Sequence, residues 1–216
     1  AAPAASQPWD DEARRYFINI VGKDGANVQA LLTKAAALDI ARICPLHGPV
    51  LGGDLGHYIG KYLTWSSYEP EEKGVMIAYA SIYGNTADAA RRLAEMLRRR
   101  GEKAVVIYDL ARCDMAEATA EAFRFDRAVL ASSTYDAGLF PVMDTFIGRL
   151  RSKNWQRRTV GLIENGTWAP AAARIMCEHL SHMKDITVAK PVVTLRSAMN
   201  AASEQQIEAL AETLTA

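Results

Sequence analysis

The sequence predicts a doubly wound α/β fold, a parallel sheet covered by helices on both faces. Three observations carry this. After Gly74, short apolar runs alternate with helix-forming stretches five times, the pattern of consecutive β-α units. The first run, residues 75–80, is apolar throughout rather than at every second position, as in strands buried on both faces. Finally, residues 75–86, V-M-I-A-Y-A-S-I-Y-G-N-T, pass from apolar to small, hydroxyl and turn-forming residues just before a run of helix formers. That order reads as strand, tight loop and helix start.

The elements follow in order. Strand one covers 75–80 and its helix 85–100. Strand two covers 104–108, with a helix at 115–122. Strand three covers 127–131, with a helix at 141–152. Strand four covers 159–163, with a helix at 169–183. Strand five, 188–193, is broken by Pro191, and the last helix spans 203–214. The expected strand order is 2-1-3-4-5, which directs ligands beyond the carboxyl ends of strands one and three. Upstream lies a mostly helical extension. Residues 1–9 read as a disordered lead, followed by a helix from Asp10 with acids in its first turn. A turn at 22–27, a helix at 28–38, a short strand at 40–44, the rigid loop P-L-H-G-P (45–49) and a helix at 55–65 come next. The polar stretch 66–74 reads as a linker. The division is therefore 1–73 and 74–216, and the first part is too small to bury much surface alone.

Composition narrows the function. Half of the 216 residues are apolar, ample for a core, and 25 basic residues balance 25 acidic ones. No basic excess points to nucleic acid or an anionic membrane, and no apolar run approaches a membrane span. The start, A-A-P-A-A-S-Q-P, lacks the basic and long apolar regions of a signal peptide and has no initiator Met. A fragment or processed product is expected. Three scattered cysteines, Cys44, Cys113 and Cys177, argue for a reducing, cytoplasmic setting, and the lack of C-x-x-C argues against iron–sulfur or structural zinc binding.

Three loops gather at the predicted carboxyl edge. The first holds Ser81, Ile82, Tyr83, Gly84, Asn85 and Thr86. Thr86 is placed to cap the helix, Gly84 lets the backbone bend, and free N–H groups backed by the helix dipole suit a phosphate without any Lys or Arg. Neither G-x-G-x-x-G nor a P-loop is present, so alone the stretch reads equally as an ordinary strand–turn–helix. The second loop runs through Ser132, Ser133, Thr134, Tyr135, Asp136, Ala137 and Gly138, and the third through Glu164, Asn165, Gly166, Thr167 and Trp168. Each combines small residues with one aromatic. Either ring alone reads as surface packing, but the pair beside a phosphate loop can clamp a flat heteroaromatic. One phosphate and one such ring describe FMN.

Several segments together resemble one family. They are A-R-R-Y-F-I-N-I-V-G (13–22), I-C-P-L-H-G-P-V-L (43–51), W-S-S-Y-E-P (65–70), Y-A-S-I-Y-G-N-T and L-I-E-N-G-T-W-A-P. Residues 75–214 resemble the flavodoxin-like domain. The chain as a whole is similar to the carboxyl-terminal half of a flavodiiron protein (an A-type flavoprotein). The resemblance implies a five-stranded flavodoxin-like domain binding FMN, preceded by the tail of a metallo-β-lactamase-like domain that holds two irons in the intact protein. It implies electron transfer from FMN to the irons, which reduce dioxygen to water or nitric oxide to nitrous oxide. It further implies a head-to-tail homodimer and a donor such as rubredoxin or an NAD(P)H-dependent reductase.

Under that resemblance Ser81, Gly84, Asn85 and Thr86 match the phosphate loop, and Tyr83 stands where simple flavodoxins have Thr. Ser133 stands where the family often has Pro, and Asp136 where it often has Asn. A charge at Asp136 near the ring would lower its potential, a hypothesis that an unchanged midpoint potential in Asp136→Asn would remove. His47 matches the last iron-ligand histidine, but the other ligands lie upstream in the family and have no counterpart here, so His47 reads as an orphaned ligand or a loop histidine. Other readings remain: a flavodoxin-type NAD(P)H:quinone reductase, which leaves P-L-H-G-P unexplained; a phospho-receiver, which lacks acids at the end of strand one; and a scaffold that no longer binds flavin.

Overall fold

The computed structural model describes residues 9–216. Residues 1–8, most of the expected lead, lie outside the described residues. Trp9 does not belong to a lead: it packs at the margin of the core, with its indole against Gly48.

The amino-terminal part begins with α1 (Asp10–Tyr16), a π-helical turn (Phe17–Val21) and a 3-10 turn (Gly22–Asp24). These run straight into α2 (Gly25–Ala35), so the turn expected at 22–27 is shorter and the second helix starts three residues early. Gly25 explains the start. A Cβ there would meet the Ser66 carbonyl at 2.3 Å and the Tyr68 ring at 2.9 Å, so only glycine lets the two segments approach. The single short strand expected near 40–44 is half of an antiparallel pair, β1 (Arg42–Ile43) with β2 (Leu51–Gly52), which closes the P-L-H-G-P loop. Next is α3 (Leu55–Ser66), capped by the Asp54 carboxylate accepting from the His57 amide at 3.2 Å.

The remainder comprises β3 (Glu72–Ala80), α4 (Asn85–Arg99), β4 (Val105–Asp109), α5 (Met115–Arg124), β5 (Phe125–Tyr135), β6 (Gly138–Leu139), α6 (Pro141–Ser152), β7 (Arg158–Asn165), α7 (Ala172–Ser181), β8 (Ile186–Val188), β9 (Val193–Leu195) and α8 (Ala201–Thr215). The main sheet has the order β4-β3-β5-β7-β8, with β9 also on β7. This is the expected 2-1-3-4-5. The fifth strand is two short pieces on either side of the cis Lys190–Pro191 bond, which pair with opposite ends of β7.

Both faces of β3 are buried, and alternate residues serve different layers. Met76, Ala78 and Ala80 join the cluster made by α5, α6, α7 and the amino-terminal Phe17, Ile18 and Trp65. Val75, Ile77 and Tyr79 face α4 and α8, meeting Leu93, Leu97, Ile207 and Leu210. Each fully buried Leu, Ile or Phe contributes about 1.5–3 kcal/mol of transfer free energy. Among the described residues, no helix is long and apolar enough to cross a membrane.

The expected linker 66–74 is instead a fixed joint. The Glu71 side chain is 5% exposed and accepts from Arg14, from Lys61 Nζ at 2.7 Å and from Trp65 Nε1 at 2.7 Å. The Arg14 guanidinium also reaches Glu121 at 2.9 Å and Asp11 at 2.9 Å. Arg158, 2% exposed, donates to the carbonyls of Tyr68 at 3.0 Å and Phe123 at 2.6 Å, and its burial lowers the guanidinium pKa to about 10.

Candidate functional site

Register places the loops. Ala80 lies opposite Ser132, Ser133 opposite Asn165, and Asn165 opposite Leu195. The ends of β3, β5, β7 and β9 therefore form one edge. The cleft at that edge has a volume of about 130 Å³ and is lined by Ser81, Ile82, Tyr83, Asn85, Thr86, Ser133, Thr134, Asn165, Gly166, Thr167 and Ser197. Ten of these were expected from the sequence; Ser197 was not. No Lys, Arg, Asp or Glu lines it.

The first loop turns on Gly84, whose φ of 97° is left-handed, and Gly84 rather than Thr86 occupies the helix cap. The Gly84 amide donates to Ser81 Oγ at 3.1 Å and its carbonyl accepts from the Asp88 amide at 2.9 Å. The first-turn amides of Asn85, Thr86 and Ala87 have no intrahelical acceptor, as at every helix start. Thr86 is buried, and its hydroxyl pairs with Ser133 Oγ at 3.0 Å instead of capping. One of those two hydroxyls donates to the other, which leaves one proton for a further acceptor. The same holds for Ser81, whose oxygen is an acceptor and whose proton is free. This donor set fits a phosphate and a polyol: several neutral donors, a helix N-terminus behind them, and no carboxylate to repel an anion.

Two expected loops are partly strand. Ser132, Ser133, Thr134 and Tyr135 continue β5, which turns through Asp136 and Ala137 into β6, with Tyr135 opposite Gly138. Asp136 and Ala137 both have positive φ, 48° and 56°, the geometry of a two-residue hairpin turn. No Asn-Gly or Asp-Gly pair announces it. Glu164 and Asn165 are the last residues of β7. Glu164 is buried and structural: it accepts from the Ala173 amide at 3.0 Å and from Thr194 Oγ1 at 3.0 Å. The Thr134 hydroxyl accepts from the Ala171 amide at 3.0 Å, bracing the start of α7. Gly166 is required by close approach, since a Cβ would meet Pro170 Cα at 2.9 Å and Thr134 Oγ1 at 3.0 Å.

The expected ring clamp lies outside the cleft. Tyr135 is half exposed and packs on Phe140, with ring centroids 5.6 Å apart. Trp168 is 92% exposed, adjacent in the chain to cleft-lining Thr167. Asp136, Ala137 and Gly138 sit at the hairpin tip, away from the cleft wall. His47 is exposed, its ring 5.2 Å from that of Tyr16. Among the described residues, no group of three or more His, Cys, Asp or Glu is placed to hold a metal.

Comparison with known proteins gives one family match and a consistent set of relatives. The model of the Flavodoxin domain matches residues 76–210. The anaerobic nitric oxide reductase flavorubredoxin of Aeromonas salmonicida is 24% identical over 182 residues, 82% of this chain and 35% of that protein. The fold superposes on rubredoxin oxygen:oxidoreductase of Desulfovibrio gigas with a TM-score of 0.89 at 21% identity, covering 100% of this chain and 55% of that one. The flavodiiron protein of Giardia intestinalis gives 0.84 at 20% identity, covering 97% and 54%. The chain spans about a third or less of the length of the curated relatives it matches.

Proposed function

The chain belongs to the flavodoxin domain family, and from that premise we propose that it is the FMN-binding, electron-transfer half of a flavodiiron oxidoreductase. Its relatives by sequence and its neighbours by fold are of flavorubredoxin and flavodiiron type, as the sequence resemblance implied. Under this reading residues 1–73 are the tail of the metallo-β-lactamase-like domain with its joint, and 74–216 are the FMN domain. The di-iron centre belongs to the intact parent, which reduces dioxygen to water, nitric oxide to nitrous oxide, or both. His47 would be one of its ligands. The parent is read as a cytoplasmic homodimer or higher oligomer that takes electrons from a donor such as rubredoxin or an NAD(P)H-dependent reductase.

The observation that carries the reading is the charge-free cleft at the ends of β3, β5 and β7, with Gly84 opening the N-terminus of α4 into it. Bound FMN supplies one- and two-electron chemistry. The chain supplies the rest. The amides and hydroxyls of residues 81–86 and Ser133 would hold the phosphate end. Asn165, Gly166 and Thr167 border the chain that joins phosphate to ring. A cleft of about 130 Å³ is smaller than the roughly 300–1,000 Å³ that wraps a whole drug-sized ligand. Trp168 and Tyr135, exposed next to cleft-lining Thr167 and Thr134, would flank the ring outside the cleft. A titration followed by flavin fluorescence tests this: one equivalent of FMN should bind with strong quenching. Absence of saturable binding would remove the assignment.

A further inference from the structure

Ser197 lies on the segment after β9, a part of the chain that carries no glycine-rich or aromatic signal. It nevertheless forms part of the cleft wall beside Ser81, Asn85 and Thr86. Its placement is strongly determined. The Asn165 side chain grips both of its backbone polar groups: Asn165 Nδ2 donates to the Ser197 carbonyl at 3.0 Å, and the Ser197 amide donates to Asn165 Oδ1 at 3.0 Å. The preceding turn is tied as well, because the Gly166 amide donates to the Leu195 carbonyl at 3.1 Å. The segment is thereby fastened to the third loop before any ligand arrives.

The backbone of Ser197 is left-handed, with φ of 75°. A Cβ is crowded against the backbone in that region, and glycine would be the comfortable occupant. The side chain that stands in this position has a specific orientation. Asn85 Nδ2, on the first residue of α4, donates to Ser197 Oγ at 3.3 Å. A hydroxyl has one proton to give. With its oxygen accepting from Asn85, that proton has no acceptor among the described residues. Ser197 lines the same cleft as Asn85 and Thr86, the first two residues of α4.

We propose that Ser197 is a cofactor-binding and specificity-determining residue: its O–H donates to the phosphate of FMN, and Asn165 is the positioning residue that holds it in place. The assignment rests on the FMN reading above and adds a fourth loop to the three found in the sequence. It gives the site a contact that riboflavin, ending in a neutral hydroxyl, cannot use as well. A hydrogen bond to a charged acceptor is stronger than one to a neutral group.

The test is a pair of fluorescence titrations, FMN and riboflavin, on the unaltered chain, on Ser197→Ala and on Ser197→Gly. Glycine accepts the left-handed backbone, so this variant removes the hydroxyl without adding strain, and circular dichroism verifies both folds. The FMN Kd should rise about tenfold in both variants, while the riboflavin Kd stays within about twofold. An unchanged FMN Kd in either folded variant, with the unaltered chain binding FMN, overturns the assignment of Ser197 alone. Equal losses for FMN and riboflavin overturn it too, and reduce Ser197 to a loop-shaping residue. Failure of the unaltered chain to bind FMN overturns both the cofactor reading and this deduction from it.

Discussion

The two ends of β3 solve opposite problems with different kinds of group. At its amino end, a seam of charges joins α1, α3 and α5. Arg14, 3% exposed, is held by Glu71, Glu121 and Asp11, while Glu71 also takes Lys61 and Trp65, and Arg124 pairs with Glu72. At its carboxyl end, eight residues on and about 26 Å away, the cleft contains no charge at all. In the seam every buried charge has a partner, so nothing is left over for a ligand. In the cleft, hydroxyls and first-turn amides keep unused protons, so an incoming anion meets dipoles instead of displacing a countercharge. The comparison teaches that buried charge here maintains structure, whereas neutral donors left unsatisfied are what the proposed binding site offers.

The largest test breaks the seam. Arg14→Met leaves Glu121 buried with only Arg124 and deprives Glu71 of one of its two cations. Removing one member of a buried ionic cluster costs about 3–5 kcal/mol, read as a fall in the urea midpoint, with no change in flavin affinity of the folded fraction.

Acid provides a finer probe of the same seam. Burial alone would raise the Glu71 carboxyl, but Lys61, Arg14 and Trp65 together hold it below the usual carboxylate range. A depressed folded-state pKa contributes stability that is present above the unfolded value and lost as pH falls through the folded one. Glu121 behaves in the opposite sense. Burial pushes it up despite Arg124 and Arg14, so its contribution declines as pH rises from the unfolded through the folded value. Glu71→Gln should therefore flatten the loss of stability below about pH 4.5, measured as the urea midpoint against pH. An acid limb as steep as in the unaltered chain would show that Glu71 does not set it.

The smallest expected effect on stability lies in the cleft. A Cβ on Gly84 would meet nothing within 4 Å, so Gly84→Ala is opposed only by its backbone, at φ 97°, by about 1–2 kcal/mol. Flavin affinity should fall along with it, because the amides of the loop move. A stability loss with unchanged affinity would separate the turn from the site.

How much of this was legible in the sequence follows the range of the interactions. Residues 75–80 announced a buried strand because apolar side chains are needed on both faces. Glu72 and Lys73 extend that strand without any such signal, since both are exposed and charged. The cleft-lining residues of the first loop were readable as a strand–turn–helix junction because their small side chains and helix start are local. The Asp136–Ala137 turn was not, because Asp136 tolerates the left-handed region but Ala137 stands where glycine would signal the turn. Arg14 and Glu71 are 57 residues apart, so the stretch 66–74 looked like a polar linker although one of its acids is buried. Ser197 escaped for the same reason: only the register of β9 on β7 brings it to Asn165, 32 residues away.

The most direct measurement of the central claim is an FMN titration by calorimetry on the unaltered chain and on Arg14→Met, at a temperature where circular dichroism shows both folded. Equal Kd values, alongside the large difference in stability, are the result predicted for a seam that builds and a cleft that binds. A Kd that shifts with Arg14 while the fold is retained would contradict that division, and no binding to either chain would remove the cofactor on which it rests.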